Sequence, residues 1–156
     1  MKPTEYYLRL TIICLVALSP LFCILLSGYQ KSYSSYWITE SQPIFILANA
    51  VTAFYLFQEK HWCISAFLLL LVTAFNTYDF KILHDILAIA FFISCLIDLT
   101  KKNRNAFIIM CFMLSFSLLN ISILLTEIVA ITSLCLYHGL NLITYYKLTH
   151  GKEKTE

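Results

Sequence analysis

Charged residues are scarce in this chain. Aspartate, glutamate, lysine and arginine together make up 13% of its 156 residues, whereas 60% of the residues are hydrophobic and the mean hydropathy is +0.76. Soluble domains average about 25% charged and about 45–50% apolar residues. A chain of this length cannot bury so much apolar surface in its own core. The composition therefore excludes a soluble domain and predicts a single membrane domain over residues 1–156.

Several functional signatures are also absent. The net charge is only +2, and no basic groove with interleaved aromatic residues is visible, which excludes nucleic acid as a partner. The chain contains no glycine-rich nucleotide loop and no Ser-His-Asp triad. Its six cysteines lie inside apolar runs, form no CxxC pair and have no histidine at metal-ligand spacing. We interpret them as small buried hydrophobic side chains.

Long apolar runs are what the sequence does contain, and they predict an all-α fold with six transmembrane helices. A helix needs about 20 residues to cross the hydrocarbon layer. Residues 106–146 would form one helix about 60 Å long, twice the thickness of that layer, so this stretch must fold back near its polar segment, Asn120 to Glu127. The predicted spans are 8–26, 43–58, 61–77, 83–99, 106–124 and 127–146.

The basic residues predict the orientation of these spans. With six spans, the two termini share one side of the membrane with the second and fourth loops, and nine of the eleven lysines and arginines lie there. Only Lys31 and Lys81 lie on the other side. Cytoplasmic loops carry the excess of basic residues in membrane proteins. We therefore predict a multi-pass protein of the bacterial inner (cytoplasmic) membrane with both termini in the cytoplasm.

Polar residues gather on the outward side of this topology. They belong to the loop 27–43, to the segment "NTYDFKILHD" at 76–85, and to the turn near residue 127. One interpretation is a solvated rim with aromatic anchors at the membrane interface. The other is an outward-facing ligand-binding site, whose candidate residues are Ser35, Tyr36, Trp37, Glu40, Asp79, His84, Asp85 and Glu127.

The sixth span carries unusual polar residues on one face. Glu127, His138, Asn141 and Tyr145 share one side of a helix. The predicted boundaries place His138 about 16 Å from the outer end, near the centre of the bilayer. An ionisable residue there is a functional candidate, although a neutral histidine can also bridge helices by a hydrogen bond. Both interpretations stay open, and we add His138 and Asn141 to the candidate ligand-binding residues.

The segments "SYSSYWITESQPIFILANAVTAFYLF" and "HDILAIAFFISC" resemble small bacterial multi-span proteins of unknown function grouped with the Frag/DRAM/Sfk membrane family. The resemblance covers roughly residues 32–95. It implies a six-helix bundle and an outward polar site for lipid headgroups, and it supplies no known reaction. The matching residues are Ser32, Ser35, Tyr36, Trp37, His84, Ala88, Ala90, Phe91 and Phe92.

Three classes of function remain open. Because no complete catalytic set is visible, the first is a non-enzymatic bundle without a cofactor. It would bind lipids or another small ligand, or serve as an accessory subunit that pairs with another membrane protein or with a second copy of the chain.

The second is an intramembrane metal-dependent lipid hydrolase, in which His84 and His138 with Asp79 or Asp85 would hold zinc. The seven-span lipid amidases carry an HxxxH motif, and this chain lacks it. The third is a small transporter or channel, although no inverted repeat is visible. Its polar path would use Asn49, Thr52, Glu127, His138 and Asn141.

Overall fold

The computed structural model describes residues 3–101 and 106–150, and within these ranges it contains helices and no strand. The prediction of an all-α fold is confirmed. Three short 3-10 helices lie in the connections, at Tyr33–Ile38, Lys60–Trp62 and Leu118–Asn120. The six α-helices are α1 (Pro3–Ser27), α2 (Gln42–Phe57), α3 (Cys63–Ala74), α4 (Lys81–Lys101), α5 (Ala106–Ser117) and α6 (Ile123–His150).

The helices fall into two classes of length. Helices α1, α4 and α6 are long and apolar enough to cross a membrane, which indicates a membrane protein. Helices α2, α3 and α5 are also apolar but contain only 16, 12 and 12 residues. These three helices are therefore about 24, 18 and 18 Å long.

Successive helices run up and down through the bundle. Helix α1 packs against α2 and α6, α3 packs against α2 and α4, and α5 packs against α6. The rings of Tyr6 and Tyr146 stack with their centroids 4.1 Å apart, so the start of α1 and the finish of α6 lie at the same end of the bundle. We call this the terminal end, which also holds the α2–α3 connection. The loop end is the opposite one, with the α1–α2, α3–α4 and α5–α6 connections.

The α1–α2 connection folds over the loop end. Helix α1 stops at Gly28, whose φ of +71° lies in the left-handed region that glycine adopts without strain. The following 3-10 helix buries Tyr33, Ser34 and Tyr36. The Tyr36 hydroxyl donates to the Gly28 carbonyl oxygen at 2.9 Å. Burial raises the pKa of both the Tyr33 and Tyr36 phenols. The connection is therefore a packed part of the fold.

A buried acid joins α3 to α4. Asp98 is 4% exposed, and its Oδ2 accepts a hydrogen bond from the Ser65 hydroxyl at 2.8 Å. The ammonium group of Lys101 lies 3.7 Å from its other carboxylate oxygen. A buried carboxylate needs such partners, because desolvating an unpaired charge is costly.

Candidate functional site

A narrow cavity of about 100 Å³ lies between α1, α2, α3, α4 and α6. We call it the first cavity. Its walls are mostly apolar, with Ile12, Val16, Leu69, Phe91 and Ile131 among them. A few polar side chains interrupt these walls between the loop end and the terminal end: Ser19, Tyr33, Asn49, Thr52, His84, Glu127 and His138.

Glu127 holds the α1–α2 connection onto the loop end of the first cavity. Its Oε2 accepts a hydrogen bond from the backbone N–H of Tyr33 at 2.6 Å. The Tyr33 hydroxyl in turn lies 2.8 Å from the Ser19 Oγ. The sequence placed Glu127 in the turn before the last helix, and this position is wrong. Helix α6 already begins at Ile123, so Glu127 occupies its second turn and faces the bundle.

His84 lies on the cavity wall rather than on a solvated rim. The side chain is 4% exposed, and its Nδ1 lies 2.6 Å from the carbonyl oxygen of Phe75, the residue that follows α3. A carbonyl oxygen only accepts, so Nδ1 is the nitrogen that donates in this bond. The His84 ring therefore links the start of α4 to the residue that follows α3, and it also lines the first cavity.

Asn49 and Thr52 line the middle of the first cavity. The Thr52 hydroxyl donates to the Ala48 carbonyl oxygen of its own helix at 2.6 Å. Asn49 is buried in the bundle and lines the cavity, so its amide can contact a molecule there.

His138 forms the terminal end of the first cavity inside a box of aromatic rings. Its ring centroid lies 5.4 Å from that of Tyr55, 4.8 Å from that of Trp62 and 5.3 Å from that of Tyr137. The Glu59 Oε1 is 3.6 Å from the His138 Nδ1, beyond hydrogen-bond distance. In the described part of the chain, neither His138 nitrogen nor the Trp62 Nε1 has a hydrogen-bond partner.

His138 lies further from the start of its helix than the predicted distance of about 16 Å. Because α6 starts earlier than the sequence suggested, His138 lies fifteen residues, or about 22 Å, from its beginning, beside the α2–α3 connection. The alternative prediction was that His138 bridges two helices by a hydrogen bond. Among the described residues, His138 makes no such bond.

Three predicted site residues belong to the 3-10 helix of the α1–α2 connection, where they make structural contacts. Tyr36 is fully buried. Trp37 packs edge-on against Phe45 with the centroids 6.3 Å apart. The Ser35 hydroxyl lies 2.8 Å from the Ser32 Oγ. The first cavity is lined by none of these three.

The remaining acidic candidates, Glu40, Asp79 and Asp85, are exposed. Asp79 accepts a hydrogen bond from the Asn76 amide at 2.8 Å, and the Asn76 Oδ1 accepts the backbone N–H of Tyr78 and of Asp79. The segment "NTYDFKILHD" is therefore a turn organised by Asn76. Of the eight predicted outward residues, the structure brings His84 and Glu127 to the first cavity and leaves the other six outside its wall.

A second cavity of about 960 Å³ opens at the terminal end. Its walls carry charges of both signs, from Glu5, Arg9, Glu59 and Lys101. His138 and Tyr55 line both cavities, so they form the partition between them. The other polar or aromatic side chains described around it are Tyr137, Asn141, Thr144 and Tyr145.

A metal site does not form around the predicted histidines. Across residues 3–101 and 106–150, no group of three histidine, cysteine, aspartate or glutamate side chains is placed to hold an ion. His84 contacts the residue after α3, whereas His138 packs on Trp62, the residue before it. The twelve residues of α3 separate them by about 18 Å, too far to share one ion.

Arg9, Glu59 and Trp62 are cavity residues that were not predicted from the sequence. Arg9 pairs with Glu5 at 2.9 Å, one helical turn away, and its guanidinium carbon lies 5.9 Å from the centre of the Tyr55 ring. An arginine inside an otherwise apolar helix is the signal that marks this position.

No family model, no curated protein and no solved structure matches this chain. The resemblance to the Frag/DRAM/Sfk membrane family stays a prediction.

Proposed function

We propose that this chain is a six-span protein of the bacterial inner membrane whose first cavity binds a small amphipathic molecule. The alternation of six helices through the bundle supports the topology. The basic residues Arg9, Lys60, Lys101 and Lys147 belong to segments at the terminal end, which supports a cytoplasmic position for that end. The shorter helices α2, α3 and α5 complete the bundle as spans.

The observation that carries the ligand proposal is the first cavity itself. It is walled mostly by apolar side chains, and the polar amide of Asn49 lies among them. The Glu127 carboxylate uses one of its oxygens on the Tyr33 N–H. Ligand sites combine apolar walls with a few placed polar groups. A ligand with an apolar body and one hydroxyl or amine group fits this pattern.

The cavity volume limits the size of the ligand. About 100 Å³ is below the roughly 300–1,000 Å³ of sites for drug-sized molecules. It is closer to an engineered apolar cavity of about 150 Å³ that binds benzene. We therefore propose a compact alcohol or amine of a few carbon atoms.

Photolabelling tests this proposal. Purified protein in lipid nanodiscs is irradiated with a short alkanol that carries a diazirine, and the labelled residues are mapped by mass spectrometry. We expect the label on α2 and α4 at the first cavity. Ala88→Leu fills the cavity wall and should lower this labelling at least about tenfold. Ala90→Leu lies on the same helix away from the wall and should leave it unchanged. Equal labelling in both variants would contradict the proposal.

A second candidate function is the passage of a small solute or proton. His138 favours this function, because it lines both cavities and lies between them. Polar side chains extend from Glu127 through Asn49 to this partition. Flux into proteoliposomes that is unchanged in His138→Ala would count against passage.

Reporter fusions test the topology separately. We expect a carboxyl-terminal reporter to be active in the cytoplasm, and reporters inserted after Glu40 or Asp79 to be active in the periplasm. A carboxyl terminus found in the periplasm would contradict the six-span arrangement.

A further inference from the structure

His138 lines the second cavity, and both of its ring nitrogens lack a hydrogen-bond partner in the described part of the chain. The ring is only 6% exposed. Buried polar atoms in native proteins nearly always have a partner, which is protein, water or ligand. His138 therefore points to a molecule that occupies one of the two cavities it lines.

The charged side chains that line the second cavity indicate the chemical class of this molecule. Its basic side chains already have acidic partners: Arg9 pairs with Glu5 at 2.9 Å, and Lys101 lies 3.7 Å from Asp98. A purely anionic ligand would compete with these carboxylates for the same cations. The wall also carries the carboxylates of Glu5 and Glu59, so a ligand with both a negative and a positive group complements its charges better.

The apolar part of the wall indicates a lipid. Ile108, Leu140 and Leu148 line the cavity beside the charged residues. Leu140 and Leu148 are also 46% and 64% exposed, so the apolar wall continues onto the outer surface of the bundle. The volume of about 960 Å³ lies at the upper end of the range for small-molecule sites. An acyl chain can follow Leu140 and Leu148 out of the cavity while its headgroup stays inside.

We propose that the second cavity binds the headgroup of a zwitterionic phospholipid, with His138 hydrogen-bonded to its phosphodiester. A phosphate oxygen only accepts, and it would receive the His138 N–H with further donors from Asn141 and Thr144. The ammonium group would lie towards Glu59, whose carboxylate lines the cavity and favours a cation. This site is separate from the first cavity and does not depend on a ligand there.

Lipid retention tests the proposal. The full chain is reconstituted in vesicles that contain equal amounts of phosphatidylethanolamine and phosphatidylglycerol with identical acyl chains. It is then transferred into detergent, and native mass spectrometry measures the mass of the protein with its bound lipid. We expect one phosphatidylethanolamine to be retained with about tenfold preference over phosphatidylglycerol. Retention of both lipids in equal amounts, or preference for phosphatidylglycerol, would overturn the proposal.

Variants locate the site. His138→Leu and, independently, Asn141→Leu should abolish the preference, and the second variant covers the case in which the first does not fold. His61→Leu changes an exposed histidine that does not line the cavity and serves as the matched control. Preference that survives in both cavity variants would place the lipid elsewhere. Ala88→Leu, which fills the first cavity, should leave the preference unchanged, so this result is separable from the alkanol experiment.

A soluble competitor distinguishes a membrane lipid from a free headgroup. Phosphoethanolamine at millimolar concentration is added before release. If the lipid stays bound, the acyl chains contribute to binding, which supports a phospholipid as the ligand. Replacement of the lipid by phosphoethanolamine in the mass spectrum supports the same headgroup chemistry with a soluble ligand. Loss of the lipid without any bound competitor contradicts the site.

Discussion

The backbone N–H of Tyr33 donates to the carboxylate of Glu127 at 2.6 Å, although the two residues are 94 positions apart in the chain. This contact joins the α1–α2 connection to the second turn of α6. It closes the loop end of the first cavity, whose wall includes both residues. One carboxylate therefore contributes to both the stability of the connection and the shape of the cavity.

Replacing Glu127 should release this connection. A buried donor left without its acceptor costs about 1–3 kcal/mol, so we expect Glu127→Leu to increase hydrogen exchange at residues 32–38 by at least about tenfold. Glu127→Gln keeps an acceptor oxygen and should have a smaller effect. Glu40→Gln neutralises an exposed carboxylate in the same connection and is the control. Exchange in Glu127→Leu that equals the control would contradict the role of the contact.

Alkaline pH should weaken the same connection through Tyr33. Burial raises the pKa of its phenol above the ordinary value of 10.0. The folded state thus favours the protonated form, so its contribution to stability is complete below pH 10 and falls as the pH rises above that value. The expected loss is up to about 1.4 kcal/mol per pH unit.

Unfolding of the wild type and of Tyr33→Phe between pH 9 and pH 11 measures this effect. Tyr33→Phe should lose less stability over this interval, because it has no phenol to deprotonate at that position. Tyr29→Phe removes the hydroxyl of an exposed tyrosine and should retain the wild-type slope. If all three proteins share one slope, the Tyr33 phenol does not govern the alkaline transition.

His84 should stabilise the α3–α4 connection through its bond to the Phe75 carbonyl oxygen. His84→Leu leaves that oxygen without its donor, and we expect a loss of about 1–3 kcal/mol in the free energy of unfolding. His84→Asn offers an amide N–H close to the position of Nδ1 and should restore part of the loss. Thermal unfolding in nanodiscs measures the difference, with His61→Leu as the control. Identical unfolding of His84→Leu and the control would show that the bond contributes nothing.

Ser65 should be essential for the burial of Asp98. In Ser65→Ala the Asp98 carboxylate loses its donor within the bundle, and a loss of about 1.5–3 kcal/mol follows. Thr100→Ala is a matched control, because the Thr100 hydroxyl donates only to the Ile97 carbonyl oxygen of its own helix. We expect the control to unfold within about 0.5 kcal/mol of the wild type. A Ser65→Ala protein as stable as this control would contradict the assignment.

Hydropathy predicted where the chain folds back but not where each helix begins. The α5–α6 turn lies at 118–122, because one helix over the whole apolar stretch would be too long for the bundle. Its last residue, Ser122, accepts the backbone N–H of Leu125 through its Oγ at 3.2 Å and so caps α6. A serine at a helix start is a local signal that averaged hydropathy does not use. The four-residue error that resulted misplaced Glu127 and His138.

The cavities themselves lay beyond sequence reasoning. Helical periodicity correctly groups Glu127 and His138 on one face of α6, and the first cavity is lined by both. Periodicity does not reveal that the α1–α2 connection folds inward, because this depends on the backbone N–H of Tyr33, a group that every non-proline residue has. Nor does it reveal that Tyr55, Trp62 and Tyr137 enclose His138, since these rings come from three separate segments.

The unequal helix lengths affect the surrounding lipid. Helices α2 and α3 are adjacent and only about 24 and 18 Å long, whereas the hydrocarbon layer is about 30 Å thick. In the proposed six-span topology, lipids beside this pair and beside the short α5 must shorten or tilt, and those beside the longer α1, α4 and α6 need not. We therefore expect the bilayer to be thinner beside the three short helices. Such a hydrophobic mismatch would draw the protein towards thinner regions of the membrane.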